Sequence, residues 1–278
     1  MPSFSGIYFA EYLPRQESTE YTIIYLHGAG GNHLCWPSNL RRLPNVHTLS
    51  IDLPGHGRSD PPGRQSIGQY GSVICEWLRK LSSKNLVLAG YGLGGYLALH
   101  CAALQNDIIG AVMLVNPFIR SAIPAAAIDG LRNRVTAQYG KTQAMHAMSL
   151  SDQKPCLQEM IKAIEHVRPT VLAGDLMAWF ELELSELISR VFMPVGILES
   201  AYNERKVFTT VQAAAREQSE TQVNIHKGCN TYLSPEYPTW VAARIMDFLH
   251  QIPALIRDPF EPATYAESYI PEEGKYAI

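Results

Sequence analysis

Short apolar runs alternate along the chain with segments whose apolar residues recur at helical spacing. Ile7–Leu13, Tyr21–Leu26, Val46–Leu53, Leu86–Ala89 and Ile109–Val115 are rich in β-branched, aromatic and aliphatic residues, which predicts strands. Between them, Trp36–Leu43 predicts a short helix. Ser66–Leu81, with Ile67, Tyr70, Ile74, Trp77, Leu78 and Leu81 on one face, predicts a longer one, as does Leu93–Leu104. Nearly continuous apolar strands separated by helices imply a parallel sheet covered on both faces.

From Phe118 to about Val191 only helical patterns remain: Ala125–Gln138, Gln158–His166 and Leu176–Ile188, broken by Gly140, Pro155 and Pro169. This predicts a helical lid over residues 118–191, inserted into a core formed by residues 1–117 and 192–252. The β/α rhythm resumes with strand Val195–Leu198, helix Arg205–Gln218, strand Gln222–His226 and helix Thr239–Leu249. Residues 253–278 form a tail with Pro253, Pro259, Pro262 and Pro271, and proline at that density opposes a long helix. The tail is expected to pack on the body, to stay solvated and disordered, or to use Tyr265, Tyr269 and Tyr276 as anchors for a second copy of the chain or another protein partner.

At 278 residues the chain has ample material for a buried core, and 46 % hydrophobic and 18 % charged residues is an ordinary globular composition. A net charge of -3, with no Lys/Arg cluster interleaved with aromatics, argues against nucleic acid as a partner. No apolar run approaches the roughly 20 residues that span a bilayer, and the start lacks a basic stretch followed by an apolar one. The five cysteines, Cys35, Cys75, Cys101, Cys156 and Cys229, are odd in number and lack C-x-x-C spacing, as in reduced proteins. These features together predict a cytoplasmic protein without membrane contact. No H-x-H or H-E-x-x-H occurs, and the pairs His33/Cys35, His100/Cys101 and His226/Cys229 are each short of a ligand set, so no metal or cofactor is expected.

The chemistry-bearing stretch is "LVLAGYGLGGYLALH", residues 86–100. An apolar run ends in Gly90-Tyr91-Gly92-Leu93-Gly94-Gly95 and a helical segment follows, the setting in which G-x-S-x-G raises a serine for attack on a carbonyl. Upstream lie Leu26-His27-Gly28-Ala29-Gly30-Gly31 and Asp52-Leu53-Pro54-Gly55-His56-Gly57-Arg58-Ser59-Asp60. In this order the three stretches resemble the lidded α/β-hydrolases, esterases, lactonases and C–C hydrolases among them, over about residues 6–250. The resemblance implies the α/β-hydrolase fold and an oxyanion hole made by the N–H of Leu93 with that of Ala29 or Gly30, beside Tyr91.

It also implies a Ser, Asp/Glu and His triad, and all three positions are replaced. The nucleophile position holds Gly92, the acid position Asn203 and the histidine position Thr231. Glu199 (or Glu204), His226 and Cys229 stand nearby as substitutes. The resemblance thus points to a binding or interaction protein with a small apolar ligand. The alternative is a hydrolase or lyase acting on an apolar carbonyl or ester through such residues.

Overall fold

Side chains along the strands alternate between two apolar layers, as a period of two requires. Ile24, Leu26, Leu86, Leu88, Val112, Leu114 and Ile197 join one core, and Ile23, Tyr25, Val87, Ala89, Ala111, Met113 and Leu198 join the other. The computed structural model describes residues 3–14, 21–81, 85–105, 107–117, 155–201, 204–214, 221–229 and 233–252. Among these, strands β1 (Ser3–Phe4), β2 (Ile7–Tyr12), β3 (Thr22–Leu26), β4 (His47–Ile51), β5 (Leu86–Tyr91), β6 (Ile109–Val115), β7 (Val195–Ser200) and β8 (Thr221–His226) form one sheet ordered β1-β2-β4-β3-β5-β6-β7-β8. The β1–β2 and β2–β4 pairings are antiparallel and the rest are parallel. This is the α/β-hydrolase architecture expected from the sequence.

Helices α1 (Ile67–Lys80) and α2 (Leu93–Leu104) cover the first face. So do α4 (Pro169–Phe180) and α5 (Leu184–Ile188), which with α3 (Pro155–His166) are the described part of the predicted lid. The remaining helices are α6 (Glu204–Ala214), α7 (Leu233–Glu236) and α8 (Pro238–Gln251), the last covering the second face. The lid segment 118–154 and the tail 253–278 lie outside the described residues. Among the described residues no helix is long and apolar enough to cross a membrane.

Two elements differ from expectation. No helix forms over 36–43. A short 3-10 turn occupies His33–Cys35, and the bonds from Leu40 and Arg41 N–H to Pro37 O close a single turn that Pro44 cannot continue. Pro169 does not break a helix but starts one, at the first position of α4 where a missing N–H costs nothing; the helix predicted over 176–188 is two, parted at Glu181–Glu183.

Candidate functional site

The parallel strands β3 to β8 end at one edge of the sheet, so the loops after Leu26, Ile51, Tyr91, Val115 and His226 gather there. Ligands of parallel α/β folds bind at this edge. Its centre is the turn from β5 into α2. Gly92 caps the helix with φ 51° and ψ -119°, a conformation that strains any residue with a β-carbon. The turn is also crowded. A β-carbon at Gly90 would stand 2.2 Å from Gly94 O, and one at Gly94 would stand 2.2 Å from Leu26 O and 2.7 Å from His27 O. That closeness presses the start of α2 against the loop that follows β3. A β-carbon at Gly95 would meet its nearest neighbours only at 3.4 Å, so close packing does not require glycine there.

Asn116, at the end of β6, braces the elbow. Its carbonyl accepts the Gly92 N–H at 3.2 Å, its Oδ1 accepts the Leu233 N–H at 2.6 Å, and its Nδ2 donates to Glu199 Oε1. Its φ of 45° is a left-handed value that asparagine tolerates better than most side chains. Glu199 is wholly buried at the end of β7, and the same Oε1 accepts from the Ser200 N–H at 2.8 Å and hydroxyl at 3.1 Å. The structure therefore ties Glu199 to the elbow through Asn116, a residue whose sequence signal reads only as the Asn-Pro end of a strand.

The N–H groups flanking the elbow divide into two kinds. That of Gly30 is taken: it donates to Asp175 Oδ2 at 2.7 Å, which corrects its assignment as a candidate oxyanion donor. Those of Leu93 and Ala29 have no hydrogen-bond acceptor among the described residues. Tyr91 is buried, with its ring edge-on to Trp36 at 6.4 Å, and belongs to the second core layer with Leu40 and Leu233.

Asp175 is the residue that sequence reasoning missed. It lies on α4 in the stretch Val171–Phe180, a single carboxylate among apolar residues, and that oddity is its one legible signal. Its Oδ1 accepts from the Tyr70 hydroxyl at 2.5 Å, and its Oδ2 from the Gly30 N–H and, at 2.8 Å, from His56 Nε2. His56 Nδ1 lies 3.2 Å from Pro54 O, so both ring nitrogens donate, as only an imidazolium can. Burial favours the neutral ring, but the Asp175 charge and hydrogen bond outweigh it and hold the His56 pKa above 6.5. Burial, with the same carboxylate, pushes the Tyr70 hydroxyl far up, so it stays a donor.

His27 behaves in the opposite way. Its Nδ1–H donates to Gly28 O at 2.8 Å and its Nε2 accepts the Leu53 N–H at 3.0 Å, joining the two glycine-rich loops. Burial, with the neighbouring His56 charge, lowers its pKa to about 4. Asp52 fixes the second loop, accepting from the N–H groups of His33 and Arg58 and from the His33 ring.

His226 closes β8 with its ring 3.9 Å from that of Tyr237 and 5.0 Å from that of Trp240; its Nδ1 has no hydrogen-bond partner among the described residues. Cys229, whose N–H donates to His226 O, is wholly buried in the second core layer, where its thiol is closed to a ligand. Asn203 and Thr231 lie outside the described residues. Among the described residues no group of three metal-ligating side chains occurs.

A family model described as the alpha/beta hydrolase family matches residues 23–244. Among curated proteins, a lipase of Mycobacterium tuberculosis (Lipase LipV) is 30% identical over 112 residues, 40% of either chain. A pimeloyl-[acyl-carrier protein] methyl ester esterase of Aliivibrio salmonicida is 24% identical over 190 residues, covering 62% of this chain and 70% of that protein. The matched stretch spans 40% of the length of each of two Mycobacterium tuberculosis relatives, a lipase and an esterase. Among solved structures, a hydrolase from Pseudomonas aeruginosa PA01 superposes with a TM-score of 0.70 at 20% identity, over 87% of this chain and 94% of that one. An enol-lactonase from Burkholderia xenovorans LB400 does so with a TM-score of 0.70 at 14% identity, over 88% and 96%. At such identities the superpositions speak for the fold alone.

Proposed function

Because the chain belongs to the alpha/beta hydrolase family, we propose that it holds a small, largely apolar ligand by a carbonyl or carboxylate oxygen at the elbow and does not hydrolyse it by a serine mechanism. The observation that carries this reading is Gly92, which keeps the turn at φ 51° and ψ -119° with no side chain to attack. Two features support it. The N–H groups of Leu93 and Ala29 flank that turn without acceptors among the described residues, and backbone donors at a helix start suit a negatively polarised oxygen. The buried thiol of Cys229 and the hydrogen-bonded carboxylate of Glu199 make poor stand-in nucleophiles. Without a nucleophile and base, an oxyanion hole alone retains about 10³–10⁴-fold over water, little for an enzyme.

The competing reading rests on His226, whose ring could act as a base for unorthodox hydrolysis or lyase chemistry. A serine-directed phosphonate probe and an ester panel, applied to the wild type and to Gly92→Ser, separate the two. The expected outcome is no labelling and no turnover above background in either protein, with a thermal shift from some short apolar acid or ketone. Ester turnover that disappears in His226→Gln would overturn the proposal in favour of an active enzyme.

A further inference from the structure

We propose that the cleft between α3 and the two glycine-rich loops is a second site, which binds the oxyanion group of a small acidic ligand, a carboxylate or a phosphate. The cleft measures about 310 Å³ and is lined by Gly31 of the loop after β3, but not by Ala29, Gly92 or Leu93. That volume holds about ten waters, or the head group of a metabolite-sized molecule. The site therefore stands or falls independently of the elbow.

Its lining carries two cations, Lys162 and Arg168, against one carboxylate, Glu159, on a chain whose net charge is -3. Arg168 sits at the junction of α3 and α4, where its carbonyl accepts the N–H groups of Val171 and Leu172, so its backbone is fixed. Its exposed side chain has no carboxylate partner among the described residues, unlike Arg79, Arg190 and Arg244, each within reach of an Asp or Glu. Lys162 rests 2.8 Å from Glu159, an exposed i,i+3 pair worth less than about 1 kcal/mol, so it can turn to a stronger acceptor. His166 gives its Nδ1–H to Lys162 O at 2.6 Å, and the neutral ring then has no second donor for an oxyanion. Gly57 of the second glycine-rich loop also lines the cleft, and its N–H has no acceptor among the described residues. His56, paired with the Asp175 carboxylate at 2.8 Å and bonded to Pro54 O, brings neither net charge nor a spare donor. Arginine, lysine and a backbone N–H around one small polar cavity make the donor set that oxyanions take.

The test is calorimetric titration of the full chain at low ionic strength with inorganic phosphate and, separately, with succinate. Saturable 1:1 binding is expected for at least one, weakened about tenfold by Arg168→Gln and further by adding Lys162→Gln, and strengthened by Glu159→Gln. Tighter phosphate binding identifies a phosphorylated ligand, and tighter succinate binding a carboxylic acid. All three positions are on or near the surface, and circular dichroism checks that the variants fold. Absence of saturable binding for both anions, or binding unchanged in the double variant, would overturn the proposal.

Discussion

Asp175→Asn should separate the charge of the α4 carboxylate from its shape. The amide fills the same volume; its oxygen can still accept from Gly30 and His56, and its NH₂ can face Tyr70, whose hydroxyl turns from donor to acceptor. What disappears is the counter-ion of a fully buried imidazolium. Two charges about 4 Å apart at an effective dielectric constant of about 20 attract by about 4 kcal/mol. Removing one partner of a buried pair costs about 3–5 kcal/mol in general, which agrees. Against a typical domain stability of about 5–15 kcal/mol the variant should fold, though weakly. The loss must depend on pH. The folded His56 pKa lies above its unfolded value of 6.5, so the pair's contribution is complete below pH 6.5 and fades as pH rises through the folded value. Urea unfolding at about pH 6 and about pH 9 should therefore show a gap of about 3–5 kcal/mol between wild type and variant, narrowing at the higher pH. A gap below about 1 kcal/mol at the lower pH, or equal gaps at both, would refute the imidazolium–carboxylate assignment. A double-mutant cycle with His56→Gln should recover most of the loss as coupling between the two residues.

Two further outcomes follow from the same geometry. His27 has a folded pKa of about 4, below its unfolded 6.5, so its contribution is complete above pH 6.5 and is lost as pH falls toward 4. Up to about 3 kcal/mol is at stake, and a pH–stability profile for His27→Gln that keeps the wild-type acid slope would contradict this. Gly94→Ala forces a β-carbon to 2.2 Å from Leu26 O and should cost about 3 kcal/mol or more. Gly95→Ala, at 3.4 Å from its neighbours, should stay within about 1 kcal/mol of wild type because helix propensity offsets the tighter contact. Thermal unfolding of the two variants in the reverse order would show that the elbow's packing has been misjudged.

Much of the fold was legible in sequence because strand burial is a local property. Leu86–Ala89 and Ile109–Val115 are apolar on both faces and separated by helical patterns, and a chain with that rhythm has few ways to bury them other than a parallel sheet. The elbow was legible for a similar reason: Gly90, Gly92 and Gly94 mark backbone crowding and strain that leave little choice of residue. Helix ends over 36–43 and 176–188 were not, since proline's effect depends on whether it falls at the first turn or within the helix.

The amino-acid order alone determined the alternation of elements, the glycine-lined turn and the absence of a serine at its apex, because each is written in residues adjacent along the chain. Only tertiary structure decided which groups share a proton or a charge. Asp175 meets His56 across 119 positions and Asn116 meets Leu233 across 117, and no local pattern carries such a pairing. It was likewise the folded chain that gave the Gly30 N–H to the Asp175 carboxylate and left those of Ala29 and Leu93 without an acceptor among the described residues. The physical reason is that hydrogen bonds and buried charges are satisfied by whatever packing brings near, whereas strain and hydrophobic period act on neighbours in sequence.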